Sequence, residues 1–342
     1  MKKRVISLIT AGCMVLAMAG CTSGGSSQAS ENTASEASTS TESSETAAEG
    51  AKYTVGICQL VQHDALDAAT QGFKDAIVEA LGEDAVTFDE QNAQNDTNTC
   101  ATIITGFVAS EVDLILANAT PALQAAQAGT NTIPVLGTSV TEYGVALGID
   151  DFDGLVGTNI SGTSDLAPLD EQAAMIQELF PDAEKIGLLY CSAEANSQYQ
   201  VDTVKAELEA MGYTCEYYAF SDSNDLATVC QSAADASDVI YIPTDNTAAN
   251  NTELINNICY GKVPVVAGEE GICAGCGVAT LSISYYDLGV ATGNMAVKIL
   301  TGESKVEEMP IEYAPQFTKK YNAANAEALG ITIPDDYVAI EE

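Results

Sequence analysis

Four stretches bring short hydroxyl, amide and carboxylate side chains in directly after an apolar run: ANATPAL (117–123), GTSVTE (137–142), YCSAEANS (190–197) and IPTDNT (242–247). Groups of this kind are costly to bury unpaired, and at the end of a buried strand they are placed to hydrogen-bond a small guest. Each stretch is followed by a helical pattern, so the free N–H groups of a first helical turn face the same region. Pro121 suits such a turn because its missing N–H would have had no partner there. Helix capping alone explains any one of these junctions. Four of them, divided between two halves of the chain, point to a shared cleft.

Catalytic and metal chemistry find few candidates. His63 is the sole histidine, so a histidine cluster for a metal is impossible and any Ser-His-Asp device would have to use it. Neither a GxSxG elbow nor a GxxxxGK[ST] phosphate loop is present. DDFDG (150–154) lacks the ligand spacing of a calcium loop. No cofactor is expected. Eight cysteines lie beyond residue 50, mostly within apolar strands or helix faces, where Cys behaves as a small hydrophobe. Only Cys273 and Cys276 form a CxxC, open to three readings: a redox dithiol, a plain disulfide or inert thiols.

Charge narrows the partners. There are 49 Asp and Glu against 12 Lys and Arg, a formal net charge of −37, almost all of it after residue 50. A phosphate backbone would be repelled, which excludes nucleic acid. Arg4 is the only arginine. An anionic group on a ligand must therefore be held by hydroxyls, helix N-termini or one of a few Lys, without a guanidinium fork.

The elements that must position these groups alternate. Strands are expected at 53–60, 85–93, 113–119 and 133–139, with helices at 63–82, 96–110 and 120–129 between them. A second cycle has helices at 170–180, 196–212, 223–235 and 246–261 and strands at 185–191, 214–220, 238–244, 263–269 and 277–284. A long helix at 285–302, a strand at 311–317 and a short helix at 323–330 follow. The strands are apolar throughout, as parallel sheets covered on both faces require. The fold class is α/β, with two doubly wound parallel-sheet lobes joined by a hinge of several crossovers. The stretch 148–168, rich in Gly, Asp and Ser, reads as a crossover between them.

At the N-terminus, Lys2, Lys3 and Arg4 precede an apolar run and LAMAGC (16–21), the pattern of a secretory signal with a bacterial lipobox. It implies cleavage before Cys21 and lipidation of that thiol. Residues 22–50 hold no large apolar residue and read as a disordered tether with a reach of about 30 Å. The expected organisation is a signal (1–20), the lipidated Cys and linker (21–50), an N-terminal lobe (51–163 with 285–305) and a C-terminal lobe (164–284 with 306–342). In open parallel sheets ligands bind beyond the carboxyl ends of the strands, where the four polar stretches fall. Hydroxyls and helix N-termini there could hold a carboxylate, Asp165, Asp245 or Glu269 an ammonium, and Tyr285, Tyr286 or Tyr190 could form a stacking wall.

ATPAL, SDLAP, YCSAEANS, IPTDNT and VATLSISYYDLG, in this order behind a lipoprotein signal, resemble the ABC transporter substrate-binding proteins of the tryptophan-binding TrpX type. The resemblance covers nearly all of 53–302. It implies a type I periplasmic-binding fold, three crossovers, hinge closure on a small ligand, and aromatic amino acids as the ligand class. It implies that Thr120, the backbone at Ala122, Thr138 and Ser139 hold a carboxylate, and that Ser192, Ala193, Asn196 and Ser197 form the closing face. Asp165 and Asp245 match acids for an ammonium. Thr244 and Asn246 flank the second of these, and Gln59 and His63 face the same cleft from the first strand and helix. The chain departs from the family's pattern at Glu269, Ser284 and Cys191, where Asp, Asp and Asn are usual. These positions border the pocket and bear on the ligand side chain. The expected partners are a permease and an ATPase, with contact to the membrane through the lipid anchor only and a monomeric body outside the cytoplasm. A binding component that feeds a membrane sensor is the alternative.

Overall fold

The computed structural model describes residues 53–314 and 316–341. The signal, Cys21 and the linker lie outside the described residues. Among the described residues no helix is long and apolar enough to cross a membrane.

The first lobe begins with β1 (Tyr53–Gln59), α1 (Asp64–Leu81), β2 (Val86–Asn92), α2 (Thr97–Ala109) and β3 (Leu114–Asn118). It continues through α3 (Thr120–Gly129), β4 (Val135–Val140), α4 (Tyr143–Leu147) and β5 (Ile160–Ser164). The second lobe runs α5 (Leu169–Leu179), β6 (Lys185–Cys191), α6 (Ala195–Ala210), β7 (Thr214–Phe220) and α7 (Ser223–Ala236). Then come β8 (Val239–Ile242), α8 (Asn246–Ala249), α9 (Thr252–Cys259), β9 (Val265–Ala267), α10 (Glu270–Cys276) and β10 (Ala279–Ser282). The chain then returns to the first lobe as α11 (Tyr285–Leu300) and β11 (Glu312–Tyr313), and ends in the second as β12 (Thr318–Tyr321), α12 (Ala323–Leu329) and β13 (Val338–Ala339).

The first sheet has the order β11-β5-β4-β3-β1-β2 and the second β13-β12-β10-β9-β8-β6-β7. The first five strands of each lobe thus share one order, with the same reversal beside β1 and β6. All pairs are parallel except β10 with β12. Apolar side chains fill both faces of each sheet: Ile115, Phe107 and Leu123 on one side of the first and Leu116, Phe73 and Met295 on the other; Leu188, Tyr241 and Val204 on one side of the second and Leu189, Ile240 and Phe220 on the other. Side-chain caps fix several helix starts. Asp96 accepts from Thr99 N–H before α2, and Asp222 with Asp225 forms a reciprocal box at α7.

Three boundaries differ from expectation. β11 pairs with β5, so the first lobe extends past residue 305 to Tyr313. Of the expected strand 311–317 only Glu312–Tyr313 forms a strand, and the next one, β12 from Thr318, belongs to the second sheet. The crossover stretch 148–168 contains β5, whose small residues Ser161 and Thr163 are buried and hydrogen-bonded. The expected helix 246–261 breaks at Asn250–Asn251 into α8 and α9.

Candidate functional site

The two strand-order reversals set the site. In the first lobe, chain leaves the ends of β1, β3 and β4 as Leu60–His63, Ala119–Thr120 and Ser139–Thr141. In the second, β6, β8 and β9 end in Cys191–Glu194, Pro243–Asp245 and Gly268–Glu269. Asp165 stands on the first crossover, its N–H donated to Val140 O at 3.2 Å. Tyr285 opens α11 just after the second crossover.

These ends meet around a narrow space of about 10 Å³, room for about one water, so a larger guest needs the lobes further apart. His63, Leu66, Ser139 and Thr141 line it from the first lobe, and Asn196, Thr244, Asp245, Asn246, Ala249 and Glu269 from the second, with Asp165 and Tyr285 at the hinge. A larger hollow of about 530 Å³, walled by Ser282, Asp287, Gln316 and Lys320, is less enclosed and is lined by no buried carboxylate. Among the described residues two hydrogen bonds span the lobes: His63 Nε2 with Asn246 Oδ1 at 3.3 Å, and Asn95 Nδ2 to Thr247 Oγ1 at 3.0 Å. The lobes are closed on each other.

Three acids face this space without a cation. Asp165 accepts from Tyr285 Oη through Oδ2 at 2.9 Å, while its buried Oδ1 has no partner among the described residues. Burial pushes its pKa up to about 6, against the hydroxyls of Tyr285 and Thr141, which lower it. Asp245 is engaged differently. Its Oδ1 accepts from Ala248 N–H at 2.8 Å and its Oδ2 from Cys191 N–H at 2.7 Å, so it caps α8 and ties that helix to β6. Burial, then the Glu194 charge, raises its pKa. Glu269 caps α10, accepting from Gly271 N–H at 2.6 Å and Ile272 N–H at 2.5 Å, and burial brings it up to about 7. Of the three acids expected to hold an ammonium, Asp165 alone offers a free carboxylate oxygen. Burial lowers the pKa of His63, against the Asn246 contact and nearby carboxylates, which raise it.

Hydroxyl and N–H donors stand opposite. Among the described residues Thr120 Oγ1, Ser139 Oγ and Asn196 Oδ1 are buried without a partner; Ser139 and Asn196 line the space, and Thr120 does not. Thr120 and Ala122 lie in the first turn of α3, where N–H groups have no intrahelical acceptor. Ala119 at φ 94° and Ser139 at φ 53° hold left-handed backbone that L-residues with a Cβ seldom adopt. The chain bends against its own sterics at both strand ends.

Several expected contacts are not in the cleft. The Gln59 amide is used within its lobe, donating to Val61 O and Asp67 Oδ1 and accepting from Thr70 Oγ1. Thr138 belongs to a buried hydroxyl chain with Thr163 and Thr292. Ser192 and Ala193 are exposed, and Ser192 Oγ donates to Phe220 O. Ser197 is buried as a partner of Asp245, and the Ala122 side chain belongs to the first-lobe core. Sequence reasoning passed over Thr141 and Leu66, which line the space, and Glu194, which organises α8. A glutamate within a strand-to-helix junction of small residues was the available signal for Glu194. Cys273 and Cys276 are buried free thiols on α10, each raised by burial, and Cys276 Sγ donates to Ile272 O. A thiol–thiol contact is instead made by Cys230 Sγ and Cys259 Sγ at 3.8 Å. Among the described residues no cluster of His, Cys, Asp and Glu could hold a metal.

Comparison with known proteins adds the following. Residues 54–341 match the model of the family described as ABC transporter substrate binding protein. A tyrosine-binding protein of Clostridioides difficile (strain R20291) is 34% identical over 313 residues, 90% of this chain and 87% of the relative. The structure of an ABC domain in complex with L-Trp from Streptococcus pneumoniae is 32% identical with a TM-score of 0.79, covering 83% of this chain and 96% of that one. The ligand-free, open structure of CD0873, a substrate binding protein with adhesive properties from the same clostridial species, is 36% identical with a TM-score of 0.65, covering 84% and 99%. This chain superposes better on the L-Trp complex than on the open protein, despite lower identity to it, in keeping with its closed lobes.

Proposed function

The chain belongs to the ABC transporter substrate-binding proteins, and from that premise we propose that it captures a free aromatic L-amino acid, tyrosine or tryptophan, in the closed cleft. It acts outside the cytoplasm. The body, a monomer tethered by a lipid on Cys21, hands the ligand unchanged to a permease served by an ATPase.

One observation carries this reading: among the described residues, the lining holds a buried carboxylate oxygen of Asp165 and a buried hydroxyl of Ser139, both without a partner, and the unpartnered hydroxyl of Thr120 lies just behind it at the start of α3. An ammonium satisfies the first. A carboxylate satisfies the second together with the first-turn N–H groups of α3, which replace the missing guanidinium. Leu66, Ala249 and the Tyr285 ring give the side chain apolar surface. Closure keeps water away from these polar contacts and strengthens them. The names of the relatives, which speak of tyrosine and L-Trp, support the aromatic class.

The test is a thermal-shift screen of the purified body against the amino acids, sugars and small peptides. A ligand at 100 times its Kd adds about 2.7 kcal/mol of stability. The expected result is a rise with L-tyrosine, L-tryptophan or L-phenylalanine, and recovery of the ligand unchanged. A rise confined to sugars or peptides overturns the reading.

A further inference from the structure

We propose that Glu194 positions a latch between the lobes, made of Asn246 and Thr247 on one side and His63 and Asn95 on the other, which sets how long the cleft stays closed. The proposal rests on the ligand-binding reading above; His63 and Asn246 also line the ligand space, whereas Glu194, Thr247 and Asn95 do not.

Glu194 is only 4% exposed, and its carboxylate gathers the start of α8. Oε2 accepts from Asn246 N–H at 3.0 Å and Asn246 Nδ2 at 2.7 Å. Oε1 accepts from Thr247 N–H at 2.9 Å and Thr247 Oγ1 at 2.8 Å. A four-residue helix cannot hold itself, because one turn does not offset the cost of nucleation. The carboxylates of Glu194 and Asp245 supply what the helix lacks.

The second effect is on polarity. A carboxylate only accepts, so it dictates which end of each partner faces it. With Nδ2 of Asn246 turned to Glu194, Oδ1 is left to face the first lobe, where His63 Nε2 meets it at 3.3 Å. With the Thr247 hydroxyl proton given to Glu194, the oxygen lone pairs are left to accept from Asn95 Nδ2 at 3.0 Å. One buried anion therefore fixes the direction of both bonds that cross the cleft.

The first-lobe half is braced as well. Asn95 sits in a left-handed turn at φ 62°, a conformation Asn tolerates, and its N–H is donated to Leu60 O at 2.8 Å. Glu194, Thr247 and Asn95 do not line the ligand space. The Asn95–Thr247 bond can thus be removed without touching the ligand space, which the His63–Asn246 bond borders.

The experiment uses ligand fluorescence, since the chain contains no tryptophan. Stopped-flow binding of L-tryptophan is compared for wild type, Asn95→Ala, Thr247→Val and Glu194→Gln, with circular dichroism to check folding. Loss of one neutral cross-lobe hydrogen bond should speed dissociation about 2- to 12-fold in Asn95→Ala and Thr247→Val, with association within twofold of wild type. Glu194→Gln turns an amide donor toward the donors of α8 and should exceed either. Unchanged dissociation in both Asn95→Ala and Thr247→Val overturns the latch, even if Glu194→Gln is impaired, because a purely structural Glu194 would give that pattern. Should wild type bind neither L-tryptophan nor L-tyrosine, the functional reading fails separately. The latch is then judged by small-angle scattering of ligand-free protein: a larger radius of gyration in the two milder variants supports it, and identical curves overturn it.

Discussion

Tyr285 donates its phenolic O–H to Asp165 Oδ2 at 2.9 Å across 120 residues of chain, joining the first crossover of the hinge to the helix that follows the second. The bond leaves Oδ1 as the free half of the carboxylate and aims it into the cleft. Replacing Asp165 by Asn keeps the shape but removes the charge that faces an ammonium. Losing one partner of a buried charged pair costs about 2–5 kcal/mol. Calorimetric titration of Asp165→Asn with L-tyrosine or L-tryptophan should show affinity reduced by at least about 30-fold, while Tyr285→Phe should lose roughly tenfold. Wild-type affinity in Asp165→Asn would remove Asp165 from the site.

The same carboxyl makes binding depend on pH in a defined direction. Burial raises Asp165 to about 6, so in the empty cleft it is protonated below that pH. An ammonium ligand needs the anion and pulls the proton off. Affinity should therefore fall as pH drops below 6, approaching tenfold per unit, and binding near pH 6 should release protons, measurable as a buffer-dependent enthalpy. Asp165→Asn should abolish both effects. For folding of the empty protein the sign is opposite. The folded pKa values of Asp165 and Glu269, about 6 and about 7, lie above the usual carboxylate range. Their contribution is present below about pH 4 and is lost as pH rises through 6 to 7. Denaturant titrations of ligand-free protein should show this decline, and Asp165→Asn should flatten part of it.

The α/β alternation was legible because apolar strands and amphipathic helices differ in period, and polar strand ends mark where an open parallel sheet binds. The sequence could not show how each polar group is used. Asp165, Asp245 and Glu269 look equivalent in one dimension. Only the fold shows that two of them cap short helices while the third keeps an oxygen free. Gln59 and Thr138 stand at strand ends like the true lining residues, yet they turn into their own lobe to satisfy Asp67, Thr70, Thr163 and Thr292. The two-residue strand β11 carries no periodicity at all, so its place in the first sheet was not readable.

Helix α11 packs on α1 along a seam of glycines. A Cβ on Gly72 would stand 2.1 Å from Tyr286 O, and one on Gly289 2.0 Å from Ala69 O, both unyielding backbone atoms. Either alanine substitution must push the helices apart, and overpacking of this kind costs about 1–3 kcal/mol. Urea titration should show that loss in Gly289→Ala and in Gly72→Ala. Because Tyr285 is the first residue of α11, its bond to Asp165 should loosen too, and ligand affinity should fall although neither glycine touches the cleft. Unchanged stability would mean the seam is slack.

Ala119 gives the opposite expectation for stability. It holds φ 94° and ψ 156°, a region open almost only to glycine, and such strain costs about 1–3 kcal/mol. The conformation persists because its N–H is held by Thr138 O at 3.0 Å and its carbonyl by Leu123 N–H at 3.1 Å, which together aim the first turn of α3 at the cleft. Ala119→Gly should relieve the strain, offset by about 0.5–1 kcal/mol of added unfolded-state entropy, for a net gain in stability of up to roughly 2 kcal/mol. The freed backbone should also hold Thr120 less firmly against the ligand carboxylate, so the more stable variant should bind L-tyrosine more weakly. A variant that is both less stable and tighter-binding would show that the left-handed backbone at Ala119 is not strained and does not position Thr120.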